Sequence, residues 1–131
     1  MLELNHENIL KMRGYPSLSS DNISTDTIKS LYKFMYKLRL CEQSLIDEYH
    51  PADEMKCPIH FCVGQEGIPA VISTLISKKD YLFSHHRSHG YFLAKNAPMK
   101  SLFAELYGKE TGASGGISGS MDLSVPSVNF Y

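Results

Sequence analysis

The segment Ser84-His-His-Arg-Ser-His-Gly90 sets three imidazoles and a guanidinium in one short run. Arg87 stays charged at any working pH and offers a planar fork of donors matched to two oxygens of a phosphate. His85 and His86 can donate to the same anion or move protons near neutral pH. Two blander readings stand beside this one. The histidines can be surface polar residues with Arg87 paired to an acid. Metal ligation needs side chains that converge, whereas neighbours on an extended segment point opposite ways. Neither Cys-x-x-Cys nor His-Glu-x-x-His accompanies the run.

His60 stands alone between Ile59 and Phe61, a setting that suits a satisfied core histidine as readily as a proton carrier. Gly64-Gln-Glu-Gly67 precedes an apolar periodic stretch, so Gln65 and Glu66 are expected to cap the first amides of a helix there. Cys57 and Cys62 are spaced as neither a zinc knuckle nor a redox pair, and packing is their expected role. The run Thr111-Gly-Ala-Ser-Gly-Gly-Ile-Ser-Gly-Ser120 can bring its backbone close to a ligand or partner. It lacks the lysine of a Walker loop and the spacing of a dinucleotide loop.

The elements that must position these groups are legible as periodicities. Ile28, Leu31, Tyr32, Met35, Leu38, Leu45 and Tyr49 recur at three- and four-residue steps, which predicts an amphipathic helix capped by Ser24 or Thr25 and stopped at Pro51. A second helix is expected over residues 65–77 and a short one over 89–95. A fourth starts at Pro98 and ends at Gly108. Tyr81-Leu-Phe83 reads as a brief buried strand. A strand end is where α/β proteins place ligands, which suits the run that follows it. Residues 1–24, with Gly14, Pro16 and a serine run, read as an N-terminal arm, and residues 25–131 as one incomplete domain.

Composition bounds the rest. The 131 residues are 43% hydrophobic and 21% charged, the balance of a chain with a packed core. Thirteen basic against 14 acidic side chains leave a net charge of -1, which offers no basic field for nucleic acid. No apolar run approaches the length of a membrane span. Three cysteines do not make an even disulfide framework. With no export signal in the acidic N-terminus, a reducing cytoplasm is the expected location.

Taken together, the motifs resemble those of the α subunit of the thiamine-diphosphate decarboxylase component of 2-oxo acid dehydrogenase complexes, including pyruvate, acetoin and branched-chain members. In order they are Arg39-x-x-Glu42, Ile59-His-Phe-Cys-Val-Gly-Gln-Glu66, Ser84 to Gly90, Ala104-Glu-Leu-Tyr-Gly-Lys109, and Gly119-Ser-Met121 with Asn129-Phe-Tyr131. The resemblance implies the N-terminal portion of a doubly wound α/β thiamine-diphosphate-binding fold, mostly helical here with one or two short strands. It implies Arg87 and His86 as cofactor-binding residues, His86 standing where many members have tyrosine, and His60 and His89 as catalytic candidates, the role of His89 unspecified. Thiamine diphosphate and Mg2+ are the implied cofactors, with the metal ligands in a Gly-Asp-Gly stretch beyond this chain. The implied partners are a β subunit in an α2β2 assembly and a lipoyl acyltransferase.

Departures are also visible. Asp122 follows Gly-Ser-Met where the family commonly has histidine, and the resemblance implies that the chain is a fragment, inactive by itself. A rival is a non-catalytic assembly piece supplying subunit contacts. A more distant one is a histidine-rich metal hydrolase.

Overall fold

A computed structural model describes residues 22–131 apart from Asp53 and Lys56. Residues 1–21 of the expected arm lie outside the described residues. Helix α1 spans Thr25–Ala52. Its start is the expected cap: Ser24 Oγ accepts the Thr27 amide at 3.1 Å, satisfying a first-turn donor that has no partner within the helix. The helix ends at Ala52, one residue past the expected stop at Pro51.

The apolar stripe on α1 is only half used. Leu38, Cys41, Glu42 and Leu45 are buried, whereas Ile28, Tyr32 and Met35 are exposed. Length explains the difference. At ~1.5 Å per residue α1 is roughly 42 Å long, while α2 (Gly67–Leu75), α3 (His89–Ala94) and α4 (Met99–Leu106) are short. Together they cover it from about Phe34 onward. The second helix is shorter than its periodicity suggested, because Ile76 already has extended backbone. Gly108 turns the chain out of α4 with a positive φ of 63°. Leu38 and Leu45 join Phe92, Leu93, Leu102, Leu106, Leu123 and Phe130 in one core.

The strand expectation needs correction. Leu82 makes an isolated parallel bridge with Phe130, and Val125 an antiparallel one with Phe130. Around the first, the Leu82 amide donates to Asn129 O, Tyr131 N to Leu82 O, and Ser84 N to Tyr131 O, each at 2.9 Å. The described residues hold no strand longer than these bridges. The mostly helical part of the expected fold stands; a doubly wound sheet is not present among them. Parallel pairing is built through crossover connections and normally has neighbours on both sides, and a single three-bond contact does not extend into a ladder. Between α2 and this contact, the buried Lys95 donates to Ser77 O at 2.7 Å and Asp80 O at 2.6 Å, fixing the turn that leads into Tyr81.

Candidate functional site

Residues 60–62 belong to no helix or strand, yet their backbone is held from three directions. The His60 amide donates to Ser120 Oγ at 3.1 Å. Phe61 O accepts from Arg87 Nε at 3.1 Å. The Cys62 amide donates to Glu42 Oε2 at 2.8 Å. Side chains from α1, the approach to α3 and the glycine-rich loop thus do what a ladder of main-chain bonds does in a sheet.

The anchor beneath is a buried polar chain. Glu42 Oε1 lies 2.8 Å from His89 Nδ1, and His89 Nε2 lies 2.9 Å from Ser120 Oγ. Glu42 and His89 have no exposed surface and Ser120 has 1%. One proton arrangement satisfies every polar hydrogen: Nδ1–H donates to the carboxylate, and the Ser120 hydroxyl donates to Nε2 while accepting the His60 amide. Ser88 Oγ adds a bond to Ser120 O at 3.1 Å. His89 starts α3, which puts its ring on the inner side of the helix against α1.

The cluster around Arg87 sits above. Arg87 Nη1 is 3.0 Å from His86 Nε2. The His86 ring meets those of His60 and His85 edge-on, with centroids 5.1 and 5.3 Å apart. Partial desolvation lowers the His86 pKa below the ordinary histidine value, and the positive Arg87 beside it acts in the same direction. Arg87 and His85 line a cleft of about 430 Å³ together with Gly64, Gln65, Gly67 and Tyr91. His60 and His86 flank it rather than line it. The structure therefore gathers His60, His86 and Arg87 at one place and sets His89 below them in the core.

Glu66 does not cap α2 with its side chain. It turns back instead, accepting from Arg39 Nε at 2.6 Å and the Gly64 amide at 2.9 Å. The Arg39 hydrogen bond holds its carboxyl below the usual range despite burial. Capping failed as an expectation because a guanidinium on α1 is a stronger partner than a helix amide.

Glu105 was missed by sequence reasoning. It is 1% exposed. Its Oε2 accepts the amides of Ser114 and Gly116 at 2.8 Å, and its Oε1 those of Ser118 at 2.8 Å and Gly119 at 3.2 Å. Burial pushes the carboxyl up, and these four amides, Gly116 foremost, more than offset it, leaving it lowered. A carboxylate thus fills the concavity that the glycine run makes with its amides. The available signal was its place in the Ala104-Glu-Leu-Tyr-Gly-Lys109 motif. Among the described residues no group of three His, Cys, Asp or Glu side chains is placed to share a metal ion.

Residues 33–131 match the family model described as the dehydrogenase E1 component, and the chain belongs to that family. It is 35% identical over 116 residues to the mitochondrial pyruvate dehydrogenase E1 component subunit alpha of Saccharomyces cerevisiae, covering 88% of this chain and 27% of that protein. It is 34% identical over 109 residues to the corresponding subunit alpha of Porphyra purpurea, covering 83% and 31%. With subunit alpha-2 of Arabidopsis thaliana the figures are 29% over 116 residues, covering 88% and 29%. The chain spans about a third or less of the length of these relatives.

The cytoplasmic expectation is overturned. The relatives from Saccharomyces cerevisiae, Kluyveromyces lactis, Dictyostelium discoideum and Arabidopsis thaliana are mitochondrial by name. Reduced cysteines separate reducing from oxidising compartments, and they do not tell one reducing compartment from another.

Proposed function

We propose that this chain supplies the diphosphate-facing part of the α subunit of a thiamine-diphosphate-dependent 2-oxo acid dehydrogenase, with pyruvate as the first substrate to test. Membership of the E1 family supports the cofactor, and the names of the relatives support pyruvate. The observation that carries the reading is the setting of Arg87. Its Nε and one Nη1 hydrogen are engaged by Phe61 O and His86. Arg87 lines a cleft whose lining includes no carboxylate. An anion fits that surface.

Bound there, thiamine diphosphate supplies an electron sink for decarboxylation of a 2-oxo acid. Arg87 and His86 hold the anionic tail. His60, edge-on to His86, is the residue of this chain assigned to proton transfer near the reacting carbon. The parallel contact of Leu82 with Phe130 is taken as the seed of the doubly wound sheet. A β subunit in an α2β2 assembly, Mg2+ held by residues outside this chain, and a lipoyl acyltransferase as acceptor complete the proposal.

Calorimetric titration of the full-length protein and its partner with thiamine diphosphate and Mg2+ tests it. Arg87→Ala should weaken binding by about 2–4 kcal/mol, the usual cost of removing a charged hydrogen-bonding partner, and Arg87→Lys by less. Unchanged affinity in Arg87→Ala would remove the reading and favour a purely structural role.

A further inference from the structure

We propose that Glu42, His89 and Ser120 are positioning residues, a buried carboxylate–imidazole–hydroxyl chain that fixes the backbone of His60 and thereby the ring His60 presents to His86. The inference rests on the function proposed above and assigns three residues to it that act without touching a ligand.

The chain has the order of groups that activates a serine nucleophile in hydrolases. Here that chemistry is closed off. Ser120 is 1% exposed, and its oxygen already accepts the His60 amide at 3.1 Å, so no electrophile can approach it. What the order of groups does supply is direction. Glu42 fixes the tautomer and tilt of His89 through the 2.8 Å contact at Nδ1. His89 Nε2, 2.9 Å from Ser120 Oγ, then accepts a hydrogen bond from the hydroxyl. The oxygen lone pairs are left facing the His60 amide.

Residues 60–62 have no main-chain ladder of their own, and the other two holds on them differ in kind. Arg87 is half-buried and beside the ligand cleft. Glu42 holds Cys62, two residues further on. Ser120 therefore supplies the backbone hydrogen bond that sets the height of His60 itself. Because reacting groups must meet within a fraction of an ångström, freeing this amide should lower turnover strongly while leaving the cleft around Arg87 in place.

Two measurements on the full-length protein with its partner test the proposal. In Ser120→Ala without cofactor, hydrogen–deuterium exchange over residues 59–62 should rise about tenfold or more, the scale on which a lost amide bond shows in local opening. The second is a double-mutant cycle with His60→Ala. If Ser120 acts through His60, Ser120→Ala should lower kcat about tenfold or more alone, with little change in KM, and almost not at all when His60 is already Ala.

Multiplicative losses in the cycle, or unchanged exchange, would overturn the positioning chain. Native turnover in His60→Ala would instead overturn the proposed function, and the exchange result then judges the chain alone. Should Ser120→Ala fail to assemble, Glu42→Gln, which keeps the side-chain shape, must show the same non-additivity with His60→Ala.

Discussion

His89 Nδ1 lies 2.8 Å from Glu42 Oε1, and neither side chain is exposed to solvent. The pair ties the first turn of α3 to the middle of α1 across 47 residues of sequence. Truncating Glu42 to Ala should leave the His89 and Cys62 N–H groups buried without acceptors. The expected loss is about 2–6 kcal/mol, at about 1–3 kcal/mol for each buried donor left unsatisfied. The shift of the urea midpoint measures it, and a loss below about 1 kcal/mol would mean that water or another acceptor replaces the carboxylate.

Acid should destabilise the fold through Glu105 and Glu66. Both carboxyls are lowered in the folded protein, Glu105 by the loop amides against the opposing effect of burial and Glu66 chiefly by Arg39. A depressed folded pKa gives stability that is complete above the unfolded value of about 4.3 and is lost as pH falls through the lower folded value. Unfolding free energy should thus be flat above about pH 5 and decline below it. Glu105→Gln should reduce stability at neutral pH and shrink the acid-dependent decline; an unchanged slope in that variant would show that Glu105 is not a contributor.

Two adjacent glycines should respond differently to alanine. Gly115 and Gly116 have φ of 74° and 79°, where a side chain costs about 1 kcal/mol. A Cβ on Gly115 meets nothing within 4 Å, whereas one on Gly116 falls 2.6 Å from Gly108 C and from Lys109 O. Gly115→Ala should lose only the conformational cost. Gly116→Ala should lose a further 1–3 kcal/mol or so from the backbone overlap. Thermal unfolding of the two variants reads the difference, and equal midpoints would contradict this packing of the loop.

Thiol labelling should be selective. Burial pushes Cys41 and Cys62 up to about 12, so neither supplies thiolate near neutral pH. Cys57 is half-buried. Iodoacetamide at pH 7.5 should modify Cys57 alone in the folded chain and all three thiols in urea. Rapid native labelling of Cys62 would show that residues 60–62 open far more readily than their three holds imply.

Periodicity located four helices because each buries a face set by its own repeat, and Ser24 was readable as a cap because its partner lies three residues away. The same local logic overextended the stripe on α1. Whether Ile28, Tyr32 and Met35 find cover depends on the length of other elements, which the helix's own residues do not encode.

The sequence by itself determined the membership of the site's upper layer: the charge of Arg87, its neighbours His85 and His86, and the motif order that made the E1 family recognisable. Those are properties of residue type and near spacing. Only the tertiary structure decided that Glu66 turns to Arg39 rather than to its own helix, that Glu105 gathers the glycine loop, and that His89 faces inward to Glu42. Each of those pairings joins groups 9 to 47 residues apart. A carboxylate's choice among several donors is settled by which one the packed core brings within reach after water has been excluded, and no local pattern specifies that.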